Sequence, residues 1–479
     1  MPALLTRFGI AGRNSLRHVS RALLTAAACA LSLLACGSAA IAADDAILRW
    51  NQVALQAVVD DHSGTFGPAE HGGPTRSSWA LAIVHIAMYD AVNAIDGSHD
   101  PYLPVLSPTA GASIEAAVAR AAHDTLAVLY PDQKKVFDRE LTLALAGVPA
   151  NKGRDKGIAV GAEAATNILV ARAADGSAGG DLPIYPPTHD PPLPGEHLPD
   201  PLNPTQGLLT PGWGAVTTFS NIDVTAAAIR APEPPALTSA AYTTAFEDVM
   251  LLGGDGIVTP TLRTQEQTEI GLFWAYDGSK GIGVPPVLYN QIVRALAKQE
   301  RNTLVENARL FALVNIAMGD AGIACWDSKY FYDFWRPIIG IRDADTDGND
   351  DTTRIADWTP LCAPASNQSG NNFTPPFPSY PSGHATFGGA LFRVLANFYG
   401  TDDIAFQFKS DEMSGRTTDN LGDHRFTIVR RFDRFSDAMR ENARSRIYLG
   451  IHWQFDADEG INMGMKIADN VFDNLLQPK

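Results

Sequence analysis

Residues 79–95 read WALAIVHIAMYDAVNAI, a run whose apolar side chains fall on almost every side of a helix. A helix with no wide polar face cannot lie on a surface, so this segment belongs at the centre of a bundle with other helices packed around it. The run has an echo 230 residues further on, where AIVHIAMYDA at 82–91 and ALVNIAMGDA at 312–321 agree at seven of ten positions. Central helices repeated at that offset predict an all-α fold of two related helical bundles.

Helical periodicity supports this over 46–98, 111–147 and 155–174, and again over 237–251, 263–276, 286–300, 302–324, 384–399, 433–449 and 457–475. Strand signals are sparse. From Gly176 to about Asn221, ten prolines mark a long ordered loop or a linker. The expected organisation is an N-terminal bundle region at 43–235, including this Pro/Gly-rich stretch, and a C-terminal bundle at 236–479. The second region alone carries the polar residues described below, so the active site belongs there. With 45% apolar residues in 479, the chain can bury one large core or two medium ones.

The formal charge is −16, and −20 once the acid-free first 42 residues with Arg7, Arg13, Arg17 and Arg21 are set aside. Such acidity disfavours nucleic acid or an anionic membrane as a partner. The chain from Arg21 to Ala42 has the layout of a secretory signal peptide ending in Ala40-Ile41-Ala42, which predicts a periplasmic or secreted protein starting near Ala43. Leu33-Leu34-Ala35-Cys36 offers lipoprotein anchoring as the other route. No later apolar run reaches the roughly 20 residues of a membrane span. Losing the signal also removes Cys29 and Cys36, which leaves Cys325 and Cys362 as either a disulfide or two buried thiols.

Three blocks carry chemistry. Lys329 and Arg336 in KYFYDFWRP are seven apart, which on one helix would place two long cations about 20° from the same face, able to converge on an anion. In PSGHATFGGALF, Ser382 stands where an N-cap belongs, so its hydroxyl and the Gly383 N–H face whatever lies beyond the helix start, with the imidazole of His384 beside them. In SRIYLGIHWQFD, Gly450 ends the helix bearing Arg446, and a new helix would set His452 and Asp456 four apart on one face. A carboxylate so placed fixes the imidazole tautomer, as a metal-ligand or nucleophilic histidine requires.

Each residue alone has an ordinary explanation as a solvated cation, a helix cap or a core histidine. The ordered set K-x6-RP, PSGH and SR-x5-H-x3-D resembles the signature shared by type 2 phosphatidic acid phosphatases, bacterial class A acid phosphatases and vanadium-dependent haloperoxidases. Trp326 and Phe377, with WAYDGSKGIGVPPVLYNQIV and FALVNIAMGDAGIACW, are most similar to the haloperoxidases, densely from about Arg263 to Asp458. That resemblance implies vanadate held by Lys329, Arg336, Ser382, Gly383 and Arg446, with His452 as the protein ligand to vanadium. It also implies that His384 takes a proton from hydrogen peroxide while Lys329 polarises it, and that chloride or bromide is oxidised to hypohalous acid, which acts on small organic acceptors. Asp277 looks like the acid paired with an active-site arginine, Asp456 like the partner of His452, and Trp326 and Phe377 like a halide pocket. Phe377 stands where algal bromoperoxidases carry histidine, which leans toward chloride. The 60 residues between His384 and Ser445 depart from both branches of the superfamily, so substrate access does not carry over.

Two other readings use the same pocket. An acid phosphatase would employ His452 as nucleophile, Asp456 to orient it and His384 to protonate the leaving group. A non-catalytic oxyanion-binding protein needs only the anion seat. Separately, Asp343, Asp345 and Asp347 begin a D-x-D-x-D-G calcium-loop pattern whose twelfth position is Arg354 rather than Glu, so either a calcium site of another type or a solvated acidic loop is expected.

Overall fold

The computed structural model describes residues 44–186 and 189–479. The signal-peptide and lipoprotein readings, with Cys29 and Cys36, lie outside the described residues. The N-terminal bundle consists of α1 (Ala46–His62), α2 (Gly73–Asp96), α3 (Ile114–Leu129), α4 (Lys134–Ala146) and α5 (Lys152–Arg172). Next come α6 (Ala240–Leu252) and α7 (Gln265–Phe273). The C-terminal bundle is α8 (Pro285–Gln299), α9 (Leu304–Tyr332), the short α10 (Pro337–Arg342), α11 (Gly383–Tyr399), α12 (Phe435–Tyr448) and α13 (Gln454–Asn474). Strands β1 (Phe406–Lys409) and β2 (Val429–Phe432) pair antiparallel, with Phe406 opposite Phe432.

The sequence echo corresponds to α2 and α9, the central helices of the two bundles. By length and composition both could cross a membrane, yet 89% and 94% of their most apolar windows are buried inside the protein. Their polar residues do corresponding work. Asp90 accepts the N–H groups of Tyr102 and Leu103 at 2.8 and 2.9 Å, and Asp320 accepts those of Phe219 and Ser220 at 2.6 and 2.9 Å. A buried chain His85–Asn51–Asn290–Asn315 joins the bundles, with each link at 2.9 or 3.0 Å.

The flanking helices repeat as well, α3 against α5 and α11 against α13. A Cβ at Gly161 would lie 2.2 Å from Ala117 O, and one at Gly464 would lie 2.2 Å from Thr386 O. Both crossings are therefore so close that only glycine fits. One apolar core runs through both bundles.

The described residues of the Pro-rich stretch are held against α9. Leu209 O accepts from Trp326 Nε1 at 3.2 Å and from Tyr330 Oη at 2.9 Å, while Tyr185 and Arg230 both bond Asp327.

Candidate active site

Lys329 lies in the last turn of α9, but Arg336 is not on that helix. Asp333 adopts a left-handed conformation (φ 48°) and ends α9, and Arg336 occupies the N-cap of α10 ahead of Pro337. The two cations thus converge across a break between two helices, where one continuous helix was expected. Burial, reinforced by Arg336, brings the Lys329 ammonium down to about 7. Its Nζ donates to Pro378 O and Ser379 O at 2.9 Å and to Pro381 O at 2.5 Å. All three of its N–H groups are spent on the turn leading to Ser382, so Lys329 shapes that turn and contributes charge.

Ser382 is the N-cap of α11, as its position predicted, but its hydroxyl caps nothing and is buried without a partner. Gly383 opens the helix, so its N–H has no helical acceptor. His384 donates Nε2–H to Ala275 O at 2.5 Å, which leaves Nδ1 as its basic nitrogen. Burial, with the Arg446 charge adding, holds the His384 imidazole well below its usual range and therefore neutral.

His452 lies in the turn between α12 and α13, while Asp456 is in the first turn of α13. The expected pair forms, though not on one helix: His452 Nδ1 stands 2.7 Å from Asp456 Oδ2. That same oxygen accepts from Trp453 N–H at 3.1 Å and from the Ser379 hydroxyl. Arg336 carries only donors, so the His452 nitrogen it faces, Nε2, holds the lone pair: His452 is the neutral Nδ1–H tautomer, and its Nδ1–H donates to Asp456, whose carboxyl burial raises to about 7. Arg336 Nη1 donates to that Nε2 at 3.2 Å. Burial and the charges of Arg336 and Lys329 keep the imidazole unprotonated.

Arg446, in the last turn of α12, gives Nη2 to both oxygens of Asp277 at 2.7 and 2.9 Å, while burial raises the Asp277 carboxyl against this pull. The rings of Trp326 and Phe377 pack at 4.7 Å, tilted by 50°, and Lys329 Nζ stands 5.7 and 5.1 Å from their centroids. Both rings line the narrow cavity that also exposes His384, Arg446 and His452.

Comparison with known proteins agrees with this geometry. The chain is 35% identical to the vanadium chloroperoxidase of Curvularia inaequalis over 496 residues, spanning 86% of this chain and 79% of the relative. The chain belongs to the vanadium-dependent haloperoxidase family. A family model described as the VCPO second helical-bundle domain matches residues 309–478. The fold is shared with the first bacterial vanadium-dependent iodoperoxidase (TM-score 0.71, 21% identity, 90% of this chain and 97% of that one). It is also shared with an apo-type bacterial vanadium-dependent chloroperoxidase (TM-score 0.65, 17% identity, 84% and 93%).

The haloperoxidase cofactor is an oxyanion, and the residues present fit one. Arg336 Nη2, Arg446 Nε and Nη1, and Ser382 Oγ are buried donors without partners. An unmet buried donor costs about 1–3 kcal/mol; Arg446 lines the cavity with Gly383, His384 and His452, Arg336 stands against His452, and Ser382 precedes Gly383, so these donors describe a seat for a group rich in acceptors.

At two places the sequence left alternatives open. Cys325 and Cys362 are free and buried. Cys325 Sγ points to Pro381 O at 3.7 Å. The three aspartates of the calcium-loop pattern do not converge: Asp343 ends α10, Asp345 pairs with Arg354 at 3.4 Å, and Asp347 accepts from Asn349 N–H and Thr352 Oγ1. Among the described residues no group of three or more His, Cys, Asp or Glu is arranged to hold a metal ion.

Sequence reasoning also missed residues. Ser379 completes the His452–Asp456 pair, and His197, from the Pro-rich loop, is driven down to about 3 by burial and by the charges of Arg336 and Lys329. Ser379 stands three residues before the recognised Ser382 and shares no spacing rule with Asp456. His197 has no local signal at all.

Proposed function

We propose that this protein is a vanadium-dependent haloperoxidase that uses hydrogen peroxide to oxidise chloride or bromide to hypohalous acid. The observation that carries this reading is the set of four unpartnered buried donors facing a neutral histidine, with an aromatic pair as the adjoining wall. Arg336, Ser382, Gly383 and Arg446 would hold the oxygens of vanadate, and His452 Nε2 would be its protein ligand. When bound, vanadate supplies a Lewis-acid centre that activates peroxide without changing its own oxidation state.

The chain's own residues do the rest. His384 is neutral, and its Nδ1 takes a proton from the incoming hydrogen peroxide. The charges of Lys329, Arg336 and Arg446, placed before the reaction in a buried site, stabilise negative charge on oxygen without reorganising. Trp326 and Phe377 offer an apolar surface where a halide can shed water beside those cations. Each turnover consumes one halide, one hydrogen peroxide and one proton, and releases hypohalous acid and water. The same wall leaves little polar room for the leaving group of a phosphoester. The layout of residues 1–42 supports export to the periplasm or beyond.

The test is a parallel assay of the purified protein with and without orthovanadate. Halide oxidation should appear only with orthovanadate, and phosphoester hydrolysis should be suppressed by it. A metal-free protein that hydrolyses phosphoesters efficiently, together with a loaded one that oxidises neither halide, would favour a phosphatase.

A further inference from the structure

Between α11 and α12 the chain leaves the bundle for residues 400–434, the excursion that carries β1 and β2. Its inner edge grips the loop after α7. Ser410 Oγ donates to Phe273 O at 2.7 Å, and Asp411 N–H donates to Tyr276 Oη at 2.7 Å. Glu412 is fully buried and accepts Tyr276 N–H on Oε1 at 3.3 Å. Its Oε2 accepts from Ser366 Oγ at 2.6 Å and from Arg425 Nη1 at 2.5 Å.

The gripped loop is strained and functionally placed. Tyr276 has φ 47°, a left-handed conformation that a bulky residue adopts only when its surroundings impose it. On one side, Ala275 O receives His384 Nε2–H. On the other, Asp277 receives Arg446 Nη2. Two groups of the anion site therefore take their orientation from a three-residue backbone segment.

We propose that Glu412 is a positioning residue for the anion site: by accepting Tyr276 N–H it fixes the 275–277 backbone, which orients His384 through Ala275 O and Arg446 through Asp277. This deepens the haloperoxidase reading and rests on it. Arg425 neutralises the buried carboxylate, so the pair can be exchanged for neutral groups without leaving a charge unpaired. Burial raises the Glu412 carboxyl to about 7, and the negative charge of Asp277 adds to the rise while Arg425 and the Ser366 hydroxyl oppose it.

The experiment compares two double variants, Glu412→Gln with Arg425→Met and Glu412→Leu with Arg425→Met. Glutamine keeps a carbonyl oxygen for Tyr276 N–H and leucine does not. Orthovanadate affinity is measured by calorimetry alongside melting temperature, and then kcat and KM on the loaded proteins. The Gln variant should bind within about 3-fold of wild type and the Leu variant at least about 10-fold more weakly, the scale for losing a group that orients ligands from behind. The Leu variant should also lose kcat, while the two melt within a few degrees of each other. Equal orthovanadate affinity in the two variants overturns the proposal. Should the Leu variant not fold, Glu412→Ala with Arg425→Met decides: it too removes the acceptor of Tyr276 N–H, with less bulk, and wild-type orthovanadate affinity there overturns the proposal too. Wild-type protein that binds neither orthovanadate nor inorganic phosphate overturns instead the reading of the site on which the proposal stands.

Discussion

The two bundles share a scaffold and differ in what stands at one end of it. In the N-terminal copy, α2 stops at the left-handed Gly97, so the position level with Lys329 is His99, outside the helix. In the C-terminal copy, α9 continues and delivers Lys329. Ser113 caps α3 conventionally, accepting Ala116 N–H at 3.2 Å, whereas the corresponding Ser382 leaves its hydroxyl free. Asn151 caps α5 by accepting from Gly153 and Arg154, while the chain entering α13 carries His452 and Asp456. In one copy Ser113 and Asn151 meet the N-termini of the helices they cap. In the other, donors at the helix ends are left unmet and converge on a cavity. Local changes at three helix termini, on an unchanged core, are what distinguish a structural bundle from a site.

The largest effect that would sharpen this contrast is at His452. His452→Ala removes the nitrogen proposed as the ligand of vanadate and should abolish orthovanadate binding in equilibrium dialysis. Binding at wild-type affinity would mean another residue is the ligand. Next is His384→Ala, which should keep most of the orthovanadate affinity while kcat falls roughly 10²-fold to 10⁴-fold, the range for a general base. Full activity would remove His384 from the mechanism.

The two cap serines break or confirm the comparison most cleanly. Ser113→Ala should cost about 1 kcal/mol of stability and leave activity alone, as loss of an N-cap does. Ser382→Ala should hardly move the melting temperature but weaken orthovanadate binding by roughly 10-fold, the size of one charge-assisted hydrogen bond. Similar responses at both sites would contradict the distinction.

The smallest expected effect concerns pH. The Lys329 ammonium is charged below about 7 and neutral above it, so anion affinity should decline as pH rises through that value. Lys329→Gln should flatten that part of the profile. An unchanged slope in the variant would assign the decline to another group.

Much of this was legible in the sequence because it rests on periodicity. The all-round apolar run required a central helix, its repeat required a second, and the four-residue spacing pointed to the His452–Asp456 pair, although His452 sits in the turn ahead of the helix. Seven-residue spacing misled at Lys329 and Arg336, since a left-handed Asp333 breaks the helix and a bulky N-cap follows. Ser379, Glu412 and His197 were not legible. Ser379 meets Asp456 across 77 positions and Glu412 meets Tyr276 across 136, and contacts of that range leave no local pattern. The calcium-loop motif shows the converse, a local pattern whose side chains satisfy nearby backbone and Arg354 instead of converging.

The central claim is that the unmet donors of Arg336, Ser382 and Arg446 form a seat for vanadate that supports halide oxidation. It is tested most directly by titrating the metal-free protein with orthovanadate and following halide oxidation by peroxide in the same samples. Activity should rise from none and saturate at one orthovanadate per chain, with bromide or chloride consumed. Tight one-to-one binding with no halide oxidation, or halide oxidation independent of orthovanadate, would contradict the account.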